Sequence, residues 1–221
     1  LGGQSLDALK SVLKPHEGFV FNYLVGRLET ADQLQYDVCV SPANSFGELQ
    51  GGVDMVYYRC FGRERIQQLV YDSIMNRHQG EILVGDGCVI NLSRINVLGT
   101  KYLLLCPTMT IPLDVSQTRN AYFFTKALIR YTKIIQEHLA RDITVLCPMP
   151  CTGVGMMNPK QAAEQMSAAF DANDKCGLIY AVYQHGDGYK LKTNNKYPEL
   201  CNSVMRNAQL VYLMQTGVKT R

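Results

Sequence analysis

The sequence predicts a three-layer α/β domain. Three observations carry the expectation. Short apolar runs of strand length alternate with amphipathic helical patterns, no Pro/Gly/Ser-rich linker or internal repeat interrupts them, and 47% of the 221 residues are apolar, enough for a real core. At ~150 residues per domain the length suits one large domain or at most two small ones, and the unbroken alternation is read as one, spanning residues 1–221. In chain order, a short helix is expected over residues 5–14, capped by Ser5, with Leu6, Leu9 and Leu13 on one face. Phe19–Val25 and Tyr36–Val40 read as strands, Glu64–Met75 as a helix, and Gly87–Leu92 and Lys101–Cys106 as strands. The strongest helix runs from Arg119 to Ala140, capped by Thr118. There Ala121, Phe124, Leu128, Tyr131, Ile135 and Leu139 recur every three or four residues. Ile143–Cys147 is a short buried strand. Asn158-Pro159 then opens a helix with Asn as cap and Pro at its first position, and its inner face is Ala162, Ala163, Met166, Ala169 and Phe170. Leu178–Tyr183 reads as the final strand, and a last helix begins at Pro198 and carries Leu200, Val204, Ala208 and Val211.

Charge and composition narrow the function. A net charge of +3, with no Lys/Arg run longer than a pair, argues against a nucleic-acid partner. Mean hydropathy is −0.09, and no apolar run reaches the ~18 residues of a membrane span. No leader is visible, and a start at Leu1 is read as a processed product or a domain cut from a longer chain. The eight cysteines are scattered, several inside apolar runs, so reduced thiols in cytoplasm or nucleus are expected rather than a disulfide framework. Cys147 and Cys151 lack a second ligand pair, so zinc is not expected. The Asn91-Leu92-Ser93 sequon is read as irrelevant in a reduced chain.

In three-layer α/β folds ligands bind beyond the carboxyl ends of the strands. Two such loops stand out. Ser41 to Asp54 delivers Asn44 from a buried strand, then Gly51-Gly52, where backbone can approach a ligand, then Asp54 at the start of a helix. Pro148 to Pro159 contains Thr152-Gly153-Val154-Gly155 ahead of a helix, a source of free N–H groups suited to an anion. Each has a plain turn reading when taken alone. The second is no P-loop, since no Gly-Lys-Ser/Thr follows. It is a poor dinucleotide fingerprint, since Asn158 replaces the third glycine.

Together, Pro-Ala-Asn-Ser with a double glycine and Val-Asp, a later Thr-Gly-Val-Gly, and Tyr102–Cys106 as central strand resemble the macro domain family over residues 19–185. The Ser-Pro-Ala-Asn-Ser-Phe-Gly form is similar to the fungal branch associated with ADP-ribose 1″-phosphate phosphatase activity. The resemblance implies a macro domain fold, with a central mixed sheet flanked by helices. It implies a ligand, ADP-ribose or an ADP-ribosylated substrate; no cofactor is expected, and the residues demand no metal, although some hydrolases use one. It implies Asn44 at the distal ribose, and Gly51, Gly52 and Val53 over the diphosphate and that ribose. Asp54 matches the acid of hydrolytic members, and Thr152, Gly153, Val154 and Gly155 the loop around the diphosphate. Ala43 and Met156 fall in the same two ligand-binding stretches. Asn44 and Asp54 are the implied catalytic pair. Tyr183 is either an aromatic against the adenine or a packing residue.

One departure stands out. Gly26-Arg27-Leu28 replaces the Gly-Asp-Ile whose Asp binds the adenine amino group, and Arg27 has no acceptor to offer. His78-Gln79-Gly80-Glu81 and Gly85-Asp86-Gly87 read as loop residues, His138 as a solvated helix face, and His185-Gly186-Asp187-Gly188 as a turn. Three functions remain open: removal of a 1″-phosphate or an ADP-ribosyl group, a non-catalytic ADP-ribose reader, and a degenerate macro scaffold for protein interaction. A dinucleotide-dependent oxidoreductase is disfavoured by the glycine pattern.

Overall fold

Val38-Cys39-Val40-Ser41 forms a strand with all four residues buried, and the sheet is arranged around it. The computed structural model describes residues 3–16, 18–24, 36–93, 95, 99–174, 179–185 and 188–193. In chain order the elements are α1 (Gly3–Val12), β1 (Val38–Ser41), α2 (Gly52–Cys60), α3 (Glu64–His78), β2 (Cys88–Asn91) and β3 (Tyr102–Leu105). They continue with α4 (Asn120–Leu139), β4 (Val145–Leu146), α5 (Pro159–Asp174), β5 (Ile179–His185) and β6 (Gly188–Thr193). Two compact units are present, Leu1–Phe170 and Asp171–Arg221.

The first unit holds a four-stranded mixed sheet in the order β2-β3-β1-β4. β1 runs parallel to β3, with Val38 opposite Tyr102, and parallel to β4, with Val38 opposite Val145; β2 is antiparallel to β3. Side-chain alternation along the strands builds two cores. Val38, Val40 and Leu104 point to one face, with Phe124, Ala127, Leu128 and Ile135 of α4. Cys39, Leu103 and Leu105 point to the other, with Ile66, Val70 and Ile74 of α3 and Tyr57 of α2. This is the expected three-layer α/β arrangement. Burying each such large side chain is worth ~1.5–3 kcal/mol, so the apolar stripe of α4 fixes which way that helix faces. A further cluster joins Leu9 of α1 to Ala162, Ala163 and Met166 of α5.

Proline ends each parallel strand at its carboxyl end: Pro42 directly after β1, Pro107 and Pro148 two residues after β3 and β4. Without an N–H, proline cannot continue the ladder, so the chain leaves the sheet into loops at that edge. The opposite edge is tied by Asp37. Its carboxylate accepts from the guanidinium of Arg141 and from the N–H of Thr144, at 3.0 Å. The Arg141 hydrogen bond is the main reason its carboxyl is held below the usual range.

Several sequence expectations need correction. Phe19–Val25 is not a strand over its described part. Phe19 makes only an isolated bridge with His16, and residues 20–24 join no ladder. Its alternation is real, with Phe19, Phe21 and Tyr23 turned inward and Val20 88% exposed. The inward side is satisfied by rings rather than by a strand partner: Phe19 and Phe21 stand edge-on to Phe170 at 5.1 and 5.0 Å. The first helix starts at Gly3, so Ser5 lies inside it. α4 has Arg119 at its cap position, although the Thr118 hydroxyl does accept the Asn120 N–H at 3.2 Å. In the second unit the strand expected over Leu178–Tyr183 runs from Ile179 to His185 and pairs antiparallel with β6, which sequence reading did not foresee. The helix expected from Pro198 and the stretch around Arg27 lie outside the described residues. The six cysteines among the described residues are free thiols, and no described helix is long and apolar enough to cross a membrane.

Candidate functional site

Adjacent parallel strands bring their carboxyl ends together, so the loops after β1, β3 and β4 share one edge. Hydrogen bonds join them. Thr108 N–H donates to Ala43 O at 3.2 Å, Ser45 N–H to Met109 O at 3.0 Å, and Val115 N–H to Gly155 O at 3.0 Å. Ala43 and Asn44 are thus linked through residues 108–115 to the Thr152–Gly155 turn.

Asn44 is 8% exposed. Its Oδ1 accepts the N–H groups of Phe46 at 3.1 Å and Glu48 at 3.2 Å, and its Nδ2 donates to the Glu48 carboxylate at 2.8 Å. Two backbone donors converging on one atom fix which way round the amide sits. The acceptor is used by the loop itself, so Asn44 has an N–H to offer a ligand and not the donor-and-acceptor pair the sequence suggests. From α3, Gln67 clamps the same loop: Nε2 donates to Gly47 O at 2.8 Å, and Oε1 accepts Leu49 N–H at 2.9 Å.

The loop ends in the first turn of α2. Gly51 is the cap residue, in extended conformation and without a side chain to satisfy the helix. Gly52 has φ +53°, a conformation glycine adopts without strain. Among the described residues, the N–H groups of Gly52 and Val53 have no acceptor. Asp54 follows, 9% exposed, accepting from the Ser41 hydroxyl at 2.6 Å. Burial pushes its carboxyl up to about 7, and the Ser41 hydrogen bond offsets only part of that. Beneath it, Tyr57 donates to Val40 O at 2.9 Å and stacks on Phe61 at 5.6 Å, which keeps that wall dry.

The Thr152–Gly155 turn lies between β4 and α5. Cys151 and Met156 hold left-handed conformations, φ 65° and 56°. Met156 N–H closes onto Gly153 O and Met157 N–H onto Cys151 O, both at 3.0 Å. The N–H groups of Thr152, Gly153, Val154 and Gly155 have no acceptor among the described residues, a run of donors of the kind that receives an anion. The Thr152 hydroxyl reaches back to Met149 O at 3.5 Å, whereas Val154 and Met156 are 60% and 69% exposed. Asn158 caps α5 as expected, its Oδ1 accepting Lys160 N–H at 2.9 Å. The turn and the helix start are therefore separate features.

The glycines of this turn differ in function. A Cβ on Gly155 would lie 2.7 Å from both Cys151 O and Val115 Cγ2, whereas one on Gly153 meets nothing within 4 Å. Gly155→Ala is expected to cost about 1–3 kcal/mol, and Gly153→Ala at most about 0.5 kcal/mol, each read as the shift of a urea unfolding midpoint.

The structure thus brings Ala43, Asn44, Gly51, Gly52, Val53 and Asp54 to the edge shared with Thr152, Gly153, Val154, Gly155 and Met156. Tyr183 belongs to the second unit, where its backbone pairs with Lys190; its side chain lies outside the described residues. Ser41, Glu48 and Gln67 escape the sequence reading. For Ser41 a signal existed: a hydroxyl ending a buried strand needs a polar partner. No described group of His, Cys, Asp or Glu could hold a metal ion.

The sequence matches no protein-family profile and no curated protein. Solved structures do resemble it. The macrodomain of Mycobacterium tuberculosis DarG superposes with a TM-score of 0.54 at 19% identity, over 71% of this chain and 93% of that one. The Oceanobacillus iheyensis macrodomain gives 0.50 at 15% identity, over 64% of this chain and 71% of that one. A single-residue variant of the latter gives 0.51 at 14% identity, over the same shares. At such identities the likeness concerns architecture, and the mixed sheet between helices that carries this site is the macrodomain fold.

Proposed function

We propose that the site binds ADP-ribose and that Asp54 promotes hydrolytic loss of a group, a phosphate or a covalently attached partner, from the distal ribose. The supporting observation is the pairing of two sets of N–H donors that have no acceptor among the described residues, Gly52–Val53 and Thr152–Gly155, on loops that leave neighbouring parallel strands. Such donors suit a diphosphate without any basic patch. The macrodomain fold and the Pro42-Ala43-Asn44-Ser45 and Gly51-Gly52-Val53-Asp54 stretches favour ADP-ribose as its owner. On this reading Asn44 donates to an oxygen of the distal ribose. Asp54 takes a proton from the attacking water, for which a carboxyl near 7 suits neutral pH.

Calorimetric titration with ADP-ribose, with AMP as control, tests the reading. Micromolar binding is expected, weakened by about tenfold or more in Asn44→Ala, since a lost hydrogen bond is worth ~1 kcal/mol and the loop loses its anchor. Absence of heat from the folded wild-type protein sinks it. Binding without release of phosphate or ADP-ribose from any substrate leaves a reader.

A further inference from the structure

The edge that holds this site is polarised in charge. From Ser41 to Asp54, Cys106 to Thr118 and Cys147 to Asn158 the chain carries three acids, Glu48, Asp54 and Asp114, and no Lys, Arg or His. Backbone donors face the edge from the Thr152–Gly155 turn and from the start of α2. The Asn44 end is different. There the amide is held 2.8 Å from the exposed carboxylate of Glu48. A negative group is welcome at the first end and opposed at the second.

We infer that Glu48 is a specificity-determining residue: through its charge beside Asn44 it makes the site prefer an ADP-ribosyl ligand with an uncharged distal end and disfavour the 1″-phosphate. The inference rests on the ADP-ribose reading above and decides between its two reactions. Glu48 does two things at once. It accepts the Nδ2 hydrogen and so helps hold the amide, and it places a negative charge where a phosphomonoester dianion would sit. At ~6 Å with full water screening, a carboxylate and a dianion repel enough to change binding about tenfold. A neutral ribose hydroxyl suffers no such repulsion and gains a donor from Asn44. Gln67 holds Gly47 and Leu49 on either side of Glu48, so the carboxylate is carried on a pinned loop.

The test compares affinities for ADP-ribose and ADP-ribose 1″-phosphate in the wild type, Glu48→Gln and Glu48→Lys. The wild type is expected to bind ADP-ribose about tenfold more tightly than the 1″-phosphate. Glu48→Gln keeps an oxygen for Asn44 and removes the charge, so ADP-ribose affinity should stay within about threefold while the preference disappears. Glu48→Lys should reverse it. A purely structural role for Glu48 would move both affinities together and leave their ratio alone. Equal wild-type affinities, or a preference for the 1″-phosphate that Glu48→Gln leaves unmoved, overturn the inference while the ADP-ribose reading stands. If neither nucleotide binds the wild type, that reading falls and the inference with it.

Discussion

Asp54→Asn is expected to bind ADP-ribose and to lose ~10²–10⁴-fold in turnover, the contribution of a general base. The replacement keeps the shape of the side chain and an oxygen for the Ser41 hydroxyl, so it removes the proton acceptor and little else. A base must be ionised, so wild-type kcat/KM should rise with pH through about 7 and level off above it. The opposite slope would make Asp54 the acid, and unchanged turnover in the variant would take it out of the mechanism.

Stability supplies a second readout that needs no substrate. The folded-state value, about 7, lies above the ordinary 3.8, so the native protein binds this proton more tightly than the unfolded chain. Below about 4 both states are protonated and ionisation costs nothing. Between there and about 7 the unfolded chain gains a charge that the native state resists, so the Asp54 contribution falls as pH rises. At about 1.4 kcal/mol per pH unit the full swing is on the order of 4 kcal/mol. Asp54→Asn removes it, so the variant should gain on the wild type as pH rises to 8. Parallel pH profiles would mean that water reaches the carboxylate.

How far the sequence foretells these features depends on where the partner of each lies. The amphipathic stripe of α4 and the inner face of α5 are local patterns: Ala162, Ala163, Met166, Ala169 and Phe170 are buried as expected, and so are Ala121, Phe124, Leu128 and Ile135, while Tyr131 and Leu139 of the same stripe are only half-buried. The prolines after β1, β3 and β4 mark the loop edge in the same local way. Gln67 is different: it serves groups 18 and 20 residues away, and nothing near it in sequence tells a clamp from a solvated glutamine. The same holds for Glu48, whose meaning depends on the loop folding back on Asn44. Phe19–Tyr23 shows the converse failure. Period-two burial reports one apolar side and says nothing of whether a neighbouring strand exists to complete a ladder. β6 is a different case: Tyr189-Lys190-Leu191-Lys192 alternates apolar and polar, a strand signal that the expectation of a turn over His185–Gly188 left unused.

Gly47 joins fold and site most tightly, and Gly47→Ala is expected to destabilise the protein by about 2–5 kcal/mol. Two costs add. The residue has φ +71°, which an L side chain adopts at about 1–2 kcal/mol. A Cβ there would also lie 2.5 Å from Val70 Cγ1 and 2.6 Å from Ile74 Cδ1. Both residues face the sheet from α3 and are almost wholly buried, and β-branched Val70 has little rotamer freedom to yield, so overpacking adds about 1–3 kcal/mol. Against a typical total of about 5–15 kcal/mol this is a large fraction. The damage should extend to binding, because Gly47 N–H closes on Asn44 O at 3.0 Å and Gly47 O receives Gln67. Moving this backbone displaces the amide that Glu48 holds. Urea unfolding is the measurement. A loss below about 1 kcal/mol would mean that α3 gives way, in which case the loop carrying Asn44 rests on a softer support than its contacts imply.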